Sequence, residues 1–463
     1  MFRLSLIIFW LLVVLAGDSP GQTESMVFSP GRQVLVIKVG NAEGKTIQPL
    51  LGINAGPLPA GRWPGNAELT DAYQTIGVNL IRTHDFYGPL DMAVMYPDRG
   101  RDPASKDSYD FSGSDRTWQS IVKGGFEPYF RLGDSWNNVR PPVTPQERSS
   151  WVRAAVEVVR HYHCGQWQGY KTDFRFVEIW NEPDHPRFWP RPLTPALYFQ
   201  LYVETATALK QTFPDLSIGG PGLTQAALFL SHGKKWVHDF LLYVKQGRAP
   251  LDFFSWHLYS NHPQDWINGA RFYRSELDSL GFTSTALHVT EWHTSTRGLP
   301  DRSEEALALR TGGKAAAILT AAWIAMQEMG IAVSTIYRGT DPAMEAPEFY
   351  GIFYADGTPK RTALAFSLWA RMTKFPEKLR VDCGPEKIIW ILAGRNKAGE
   401  VALLIANTTA ESVSYTITGG PAWPETLLQV SQASDRIQSL PVKEKTISLP
   451  AEAVHFLILG RPG

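Results

Sequence analysis

The sequence predicts an α/β protein: a (β/α)8 TIM barrel followed by a smaller C-terminal antiparallel β-sandwich. Three observations predict it. Eight short apolar runs alternate with longer helical patterns between residues 48 and 338, the order expected of a wound barrel. The runs are apolar throughout rather than alternating, as suits parallel strands buried on both faces. Near residue 375 the pattern changes to short β-rich segments separated by turns, with no helical stretch between them.

The chain opens with "MFRLSLIIFWLLVVLAGDSPGQTES". Arg3 precedes an apolar run, Leu4 to Leu15, and small residues Ala16 and Gly17 follow. This reads as a secretory signal peptide over residues 1–22. The run is shorter than the roughly 20 apolar residues of a membrane span, and an uncleaved anchor is the alternative. Residues 23–374 are expected to form the barrel with a leading strand at 32–40, and 375–463 the sandwich. The leading strand is expected either to join the sandwich or to cap the barrel floor.

Barrel strands are expected at 48–54, 78–84, 126–133, 174–181, 216–222, 252–259, 286–292 and 332–338. Thr144-Pro145 and Thr194-Pro195 each pair an N-cap residue with proline at the first helical position. The Ala-rich stretch from Ser303 predicts one long helix stopping at Gly330. A doubly wound open sheet is the structural alternative, but no GxGxxG turn is present. The sandwich strands are expected within "KIIWILA", "EVALLIAN", "SVSYTIT", "LLQVS", "KTISL" and "AVHFLIL".

Lys and Arg number 45 and Asp and Glu 45, a balance that argues against a nucleic-acid partner. Aromatics are 12% of the chain with 16 Trp, which serves a core and also suits flat sugar faces. The two cysteines, Cys164 and Cys383, are expected to be buried, unlinked thiols. Neither CxxC nor HExxH occurs, and His161 and His163 are spaced to opposite helix faces, so no metal or other cofactor is expected. Asn407 begins an NTT sequon, relevant only in a eukaryotic secretory route. Oligomeric state is not readable.

Barrels of this kind carry chemistry at the C-terminal strand tips. Those tips hold Arg82, His84 and Asp85; Arg131 and Asp134; Asn181 and Glu182; His257 and Tyr259; Glu291, Trp292 and His293; and Tyr337, Arg338 and Asp341. Glu182 and Glu291 end strands four and seven, nearly opposite across the mouth. Paired carboxylates of this kind suit glycoside hydrolysis, one protonated and one ionised. Trp136 and His293 are candidate pocket walls, and Asp134 and Asp184 fit loop capping better than catalysis.

"EIWNEPDHPRFW", with "SWHLYS" and a later "TEW", resembles clan A retaining glycoside hydrolases and, more narrowly, glycoside hydrolase family 39, which includes β-xylosidases and α-L-iduronidases. The resemblance implies Glu182 as general acid/base and Glu291 as nucleophile. It further implies Asn181, Arg82, His84, His257 and Tyr259 around the sugar and the nucleophile; Trp292, Tyr337, Arg338 and Asp341, by their strand-tip positions, are further substrate-binding candidates. Bland alternatives stand beside these. Arg82 could pair with Asp85 or another rim acid, His257 could be a core histidine, and Arg338 with Asp341 could be a rim ion pair. After His84, "DFYGPLDMAVMYPD" follows the family only loosely, which leaves the terminal sugar open.

The expectation is therefore a secreted, exo-acting, β-xylosidase-like retaining glycosidase with its two carboxyls about 5–5.5 Å apart. An endo-acting hydrolase of the same clan and a non-catalytic carbohydrate-binding barrel are the alternatives.

Overall fold

The computed structural model describes residues 34–58, 65–84, 88–296, 301–384 and 389–460. Residues 1–22, expected to be a signal peptide, and Asp85 lie outside them. The barrel strands are β2 (Gly52–Asn54), β3 (Leu80–Arg82), β4 (Glu127–Leu132), β5 (Phe176–Ile179), β6 (Ser217–Leu223), β7 (Phe253–Tyr259), β8 (Ala286–His293) and β9 (Val333–Ile336), after a leading β1 (Leu35–Thr46). β2 to β9 close a parallel barrel in sequence order, β9 pairing back to β2. All eight fall within or against the runs expected.

Side chains alternate along the regular stretches of the strands, and the inward ones stack in layers. Leu80, Tyr129, Phe176, Phe253 and Val333 form a separate apolar cluster on the barrel floor. Two residues further along the chain, Arg82, Glu178 and Ser255 are fully enclosed polar groups. The barrel interior therefore turns from hydrocarbon to charge as it approaches the mouth. Outward residues such as Ile81, Val177 and Phe254 join the large core under the helices.

The helices start where their caps predict. Pro145–Cys164 begins with a capping box between Thr144 and Glu147, and Pro195–Thr212 follows Thr194. The single Ala-rich helix is instead two, Glu304–Thr311 and Gly313–Glu328. Gly312 is extended there, and Gly313 N donates to Gln432 Oε1 at 2.9 Å. The backbone leaves the helix to meet the C-terminal sheet, a tertiary contact that helix propensity does not report.

That sheet holds β1 with β10 (Glu377–Asp382), β11 (Trp390–Arg395), β12 (Val401–Asn407), β13 (Val413–Thr418), β14 (Thr426–Val430), β15 (Gln438–Pro441), β16 (Ile447–Leu449) and β17 (Ala453–Ile458). The order is β15-β14-β17-β12-β11-β10-β1-β13-β16, antiparallel except where β1 runs parallel to β13. The leading strand thus joins the sandwich. β12 is buried on both faces: Leu403 and Ile405 enter the sandwich core, Leu404 and Ala406 the barrel core. β10 and β15 were not among the expected strands, being too polar and half-exposed to show an apolar run.

Cys164 is exposed at its helix end, contrary to the expected burial, and Cys383 is half-buried; no disulfide joins them. Asn407 is enclosed, its amide donating to the carbonyls of Glu411 and Pro450 at 2.7 and 2.8 Å, so the sequon is a structural asparagine. Among the described residues no helix is long and apolar enough to cross a membrane.

Candidate active site

β5 ends at Ile179, and the next three residues turn sharply. Trp180 and Glu182 both take left-handed backbone, φ 78° and 46°, a conformation that costs a non-glycine residue about 1–3 kcal/mol. The turn is held from its neighbours. Trp180 N donates to Leu132 O at 2.7 Å, Glu182 N to Gly222 O at 2.9 Å, and the Trp180 indole to Phe188 O at 3.0 Å. Gly222 itself has φ +64°, and a Cβ there would lie 3.3 Å from His257 Nε2 and 3.4 Å from Glu178 Oε1. Glycine lets the β6 backbone come this close to the acid-bearing turn.

Glu291 reaches the mouth by a different device. β8 pairs regularly with β7 up to Val289, then shifts register so that His257 faces Glu291. This irregularity puts both Thr290 and Glu291 against barrel-interior groups, as bulges re-aim side chains elsewhere. Trp292 consequently points outward. It is fully buried edge-to-face against Trp266 and Trp323 of the surrounding helices, centroids 6.0 and 5.0 Å away. The expectation that Trp292 binds substrate is corrected: it is core.

Arg82 ties the tips together. Its Nη1 donates to Glu291 Oε1 at 2.9 Å and to Asn54 Oδ1 at 3.0 Å, and its Nη2 to Asn181 Oδ1 at 2.8 Å. Its Nε and Nη2 both lie 2.7 Å from Glu178 Oε2. Burial pulls the guanidinium's pKa down, but Glu178 and Glu291 more than offset this and the net shift is upward. Glu291 also receives the Tyr259 hydroxyl at 3.0 Å on Oε2, and His84 Nε2 stands 3.3 Å from Oε1.

Glu182 occupies a contrasting environment. His257 Nδ1 is hydrogen-bonded to its Oε1 at 2.9 Å, and its carboxyl is raised well above the usual range by burial, then by the charges of Glu291 and Asp184. His257 and His84 are pushed well below the usual imidazole value by burial and then by Arg82. Both are neutral in the working range. Tyr259 is pushed up, first by burial and then by Glu291.

One oxygen of Glu182, one of Glu291 and a nitrogen of His257 lie within 4.8 Å of one another. Such a trio has ligand spacing for a cation. Here, though, Arg82 already supplies the positive charge at Glu291, and the histidine faces the acid. Three buried polar atoms at this mouth, Asn181 Nδ2, His257 Nε2 and His84 Nδ1, have no protein partner among the described residues.

The other expected residues divide. Tyr337 packs edge-on to Tyr259 and Tyr350, centroids 6.2 and 5.8 Å, at the mouth. Arg338 is nearly enclosed, beside the rings of Tyr337 and Phe349. Asp341 is set behind the wall. It is fully buried on Lys360 Nζ at 2.7 Å and accepts from Gly351 N at 2.9 Å, so its role as a substrate ligand is corrected to a buried ion pair. Burial raises Asp341 to about 7 and lowers Lys360 to about 8, each against the pull of its partner.

His293 is enclosed, bonded to Thr294 and packed on Tyr350, and does not form an open wall. Trp136 carries the Arg187 guanidinium 4.5 Å over its ring, close to the acid-bearing turn. Asp134 accepts from Ala93 N and Arg140 N, and Asp184 from Thr224 N, both capping loops as expected. Three residues of the assembly were not expected: Asn54, Glu178 and Tyr350. Glu178 had a signal, a lone charge inside an apolar strand two residues after inward-facing Phe176. Tyr350, 5.1 Å from the Tyr259 ring, lies in a loop whose sequence carries no comparable mark.

The fold and site define a class: a closed parallel barrel with two carboxylates paired at its mouth. Within that class the chain is similar to one family in particular: the model of "Glycosyl hydrolases family 39" matches residues 52–269, a span that contains Arg82, Glu182, His257 and Tyr259 and stops before Glu291. A "Beta-xylosidase" of Geobacillus stearothermophilus is 26% identical over 254 residues, 48% of each chain. Another, of Caldicellulosiruptor saccharolyticus, is 24% identical over 207 residues, 42% of this chain and 38% of that one. The chain thus matches about half the length of these relatives or less. Among solved structures, a glucosidase from Croceicoccus marinus superposes with TM-score 0.76 at 22% identity, covering 93% of this chain and all of that one. A monomeric beta-xylosidase from Caulobacter crescentus gives 0.68 at 18%, over 93% and 100%.

Proposed function

We propose that the protein is a retaining glycoside hydrolase acting by double displacement. The observation that carries this reading is that an oxygen of Glu182 and an oxygen of Glu291 lie within 4.8 Å of each other, the two carboxyls in opposed environments. Retaining pairs stand about 5–5.5 Å apart, and inverting pairs about 6.5–9.5 Å to admit a water. Glu182, held protonated by burial and by neighbouring negative charge, gives its proton to the departing oxygen. Glu291, whose ionised form is favoured by Arg82 and Tyr259, attacks the anomeric carbon. Glu182 then takes a proton from water as the glycosyl-enzyme is hydrolysed. The unpartnered Nδ2 of Asn181, Nδ1 of His84 and Nε2 of His257 suit a polyhydroxyl ligand, since buried polar atoms require partners.

The substrate class follows the relatives: a terminal β-xyloside, cleaved from the non-reducing end. Residues 1–22 support export, and the barrel and sandwich divide near residue 375. A panel of aryl glycosides tests the reading, with proton NMR of the first-formed anomer. Retention on at least one substrate is expected. Glu291→Ala should lose more than about a thousandfold in turnover, with azide restoring product of opposite configuration. Inversion, or ordinary turnover by the Ala variant, sinks the mechanism; silence across the panel favours a binding protein.

A further inference from the structure

The string "EIWNEP" contains two glutamates, and the reaction uses only the second. The first, Glu178, lies on β5 one layer below the mouth and is fully enclosed. A carboxylate so placed is costly unless fully paired. Its Oε2 accepts from Nε of Arg82 at 2.7 Å and lies 2.7 Å from Nη2, and its Oε1 receives the Thr290 hydroxyl at 2.8 Å. Arg82 in turn gives Nη1 to Glu291 at 2.9 Å. One guanidinium therefore lies between two carboxylates, one reacting and one not.

We propose that Glu178 is a positioning residue that shares the charge of Arg82 with Glu291 and so keeps Glu291 basic enough to attack. The inference rests on the assignment of Glu291 as nucleophile. An unshared arginine at 2.9 Å would hold Glu291 ionised but make it a poorer nucleophile, because a carboxylate that gives up its proton more readily also gives up its electron pair less readily. A second carboxylate on the same guanidinium reduces that field and anchors the fork from β5. Thr290, next to Glu291 on β8, holds Glu178 from the far side, so the two acids are coupled through the backbone as well.

The groups facing the pair leave this account intact. Around Glu291 stand Arg82, His84, His257, Tyr259 and Glu182; around Glu178 stand Arg82, Thr290, Tyr129 and Tyr198. The histidines are held neutral, and burial keeps the three tyrosines protonated. Across the acid limb the charges that matter are Arg82, Glu178 and Glu291.

The test is the pH profile of kcat/KM for Glu178→Gln on the best aryl glycoside. Gln keeps the shape and a hydrogen-bonding oxygen but removes the charge. The acid limb is expected to move down by about one pH unit, with a fall in the rate of the glycosylation step. A merely structural loosening predicts the reverse, since Arg82 freed from its anchor leaves Glu291 and the limb rises. A limb that stays or rises in a folded variant overturns the proposal. Should Glu178→Gln not fold, Glu178→Asp carries the test: its retracted carboxylate holds Arg82 less closely, and the limb must move down by a smaller amount. A wild-type protein without turnover on any glycoside would refute the glycosidase reading first, a result distinct from an active wild type whose acid limb ignores Glu178.

Discussion

The Nδ1 of His257 stands 2.9 Å from Oε1 of Glu182. The imidazole is neutral, because burial and Arg82 push its pKa well below the usual value. It therefore orients the acid without adding a positive charge that would strip the acid of its proton. With the carboxyl of Glu182 raised by burial and by Glu291, activity is expected to fall on the alkaline side as Glu182 ionises. Glu182→Gln should abolish that alkaline limb in the residual turnover of aryl substrates with good leaving groups, which need no acid. A limb unchanged in Glu182→Gln assigns it to another group.

The same shift has a consequence for stability. The folded pKa of Glu182 is raised above its unfolded value, so the native state holds this proton more tightly. Its contribution is fully present below about pH 4, near the unfolded value, and is lost as pH rises through the raised folded value. Glu182→Gln should therefore leave Tm nearly unchanged at pH 4 and raise it by a few degrees at pH 8. Calorimetry at the two pH values measures it, and an equal change at both would contradict the burial argument.

Tyr259 donates to Glu291 Oε2 at 3.0 Å and is itself packed by Tyr337 and Tyr350. A hydrogen bond to a charged group is worth about 1.5–3 kcal/mol. Tyr259→Phe should lower kcat/KM by about ten- to a hundredfold with little change in Tm, since the ring and its packing remain. Steady-state kinetics beside thermal melts separate the two effects.

Lys360 and Asp341 form a buried ion pair behind the loop after β9. Lys360 Nζ donates to the carbonyls of Pro347 and Phe349 at 3.0 and 3.1 Å as well as to Asp341, so it clasps the loop that carries Tyr350. Breaking a buried ion pair from one side costs about 3–5 kcal/mol. Lys360→Met alone should cost that much, and the pair Lys360→Met with Asp341→Asn less than the sum of the singles. Denaturant titration of the double-mutant cycle checks this; additive losses would make the pair incidental.

Trp292 offers the complementary control. Trp292→Ala should destabilise by about 3–5 kcal/mol, as large-to-small core substitutions do, while Trp292→Phe should keep the KM for every substrate. A KM change with unchanged stability would return Trp292 to the proposed substrate site.

Much of this was legible in the chain. The apolar runs fixed on β2 to β9 and the caps at Thr144 and Thr194 are local: strand burial and helix starts depend on residues near in sequence, and alternation along a strand is a local property too. Glu182, Asn181 and Glu291 were marked because polar groups at the ends of apolar strands are conspicuous. What only the tertiary structure decided is which way the marked residues turned and what they met. A one-residue register shift in β8 sent Glu291 inward and Trp292 outward. Closure of the barrel brought Arg82 from β3 between Glu178 on β5 and Glu291 on β8. A lysine at 360 drew Asp341 away from the cavity. Each outcome depends on residues tens to hundreds of positions apart. Side-chain direction and charge pairing are properties of packed neighbours, and no window of sequence contains them.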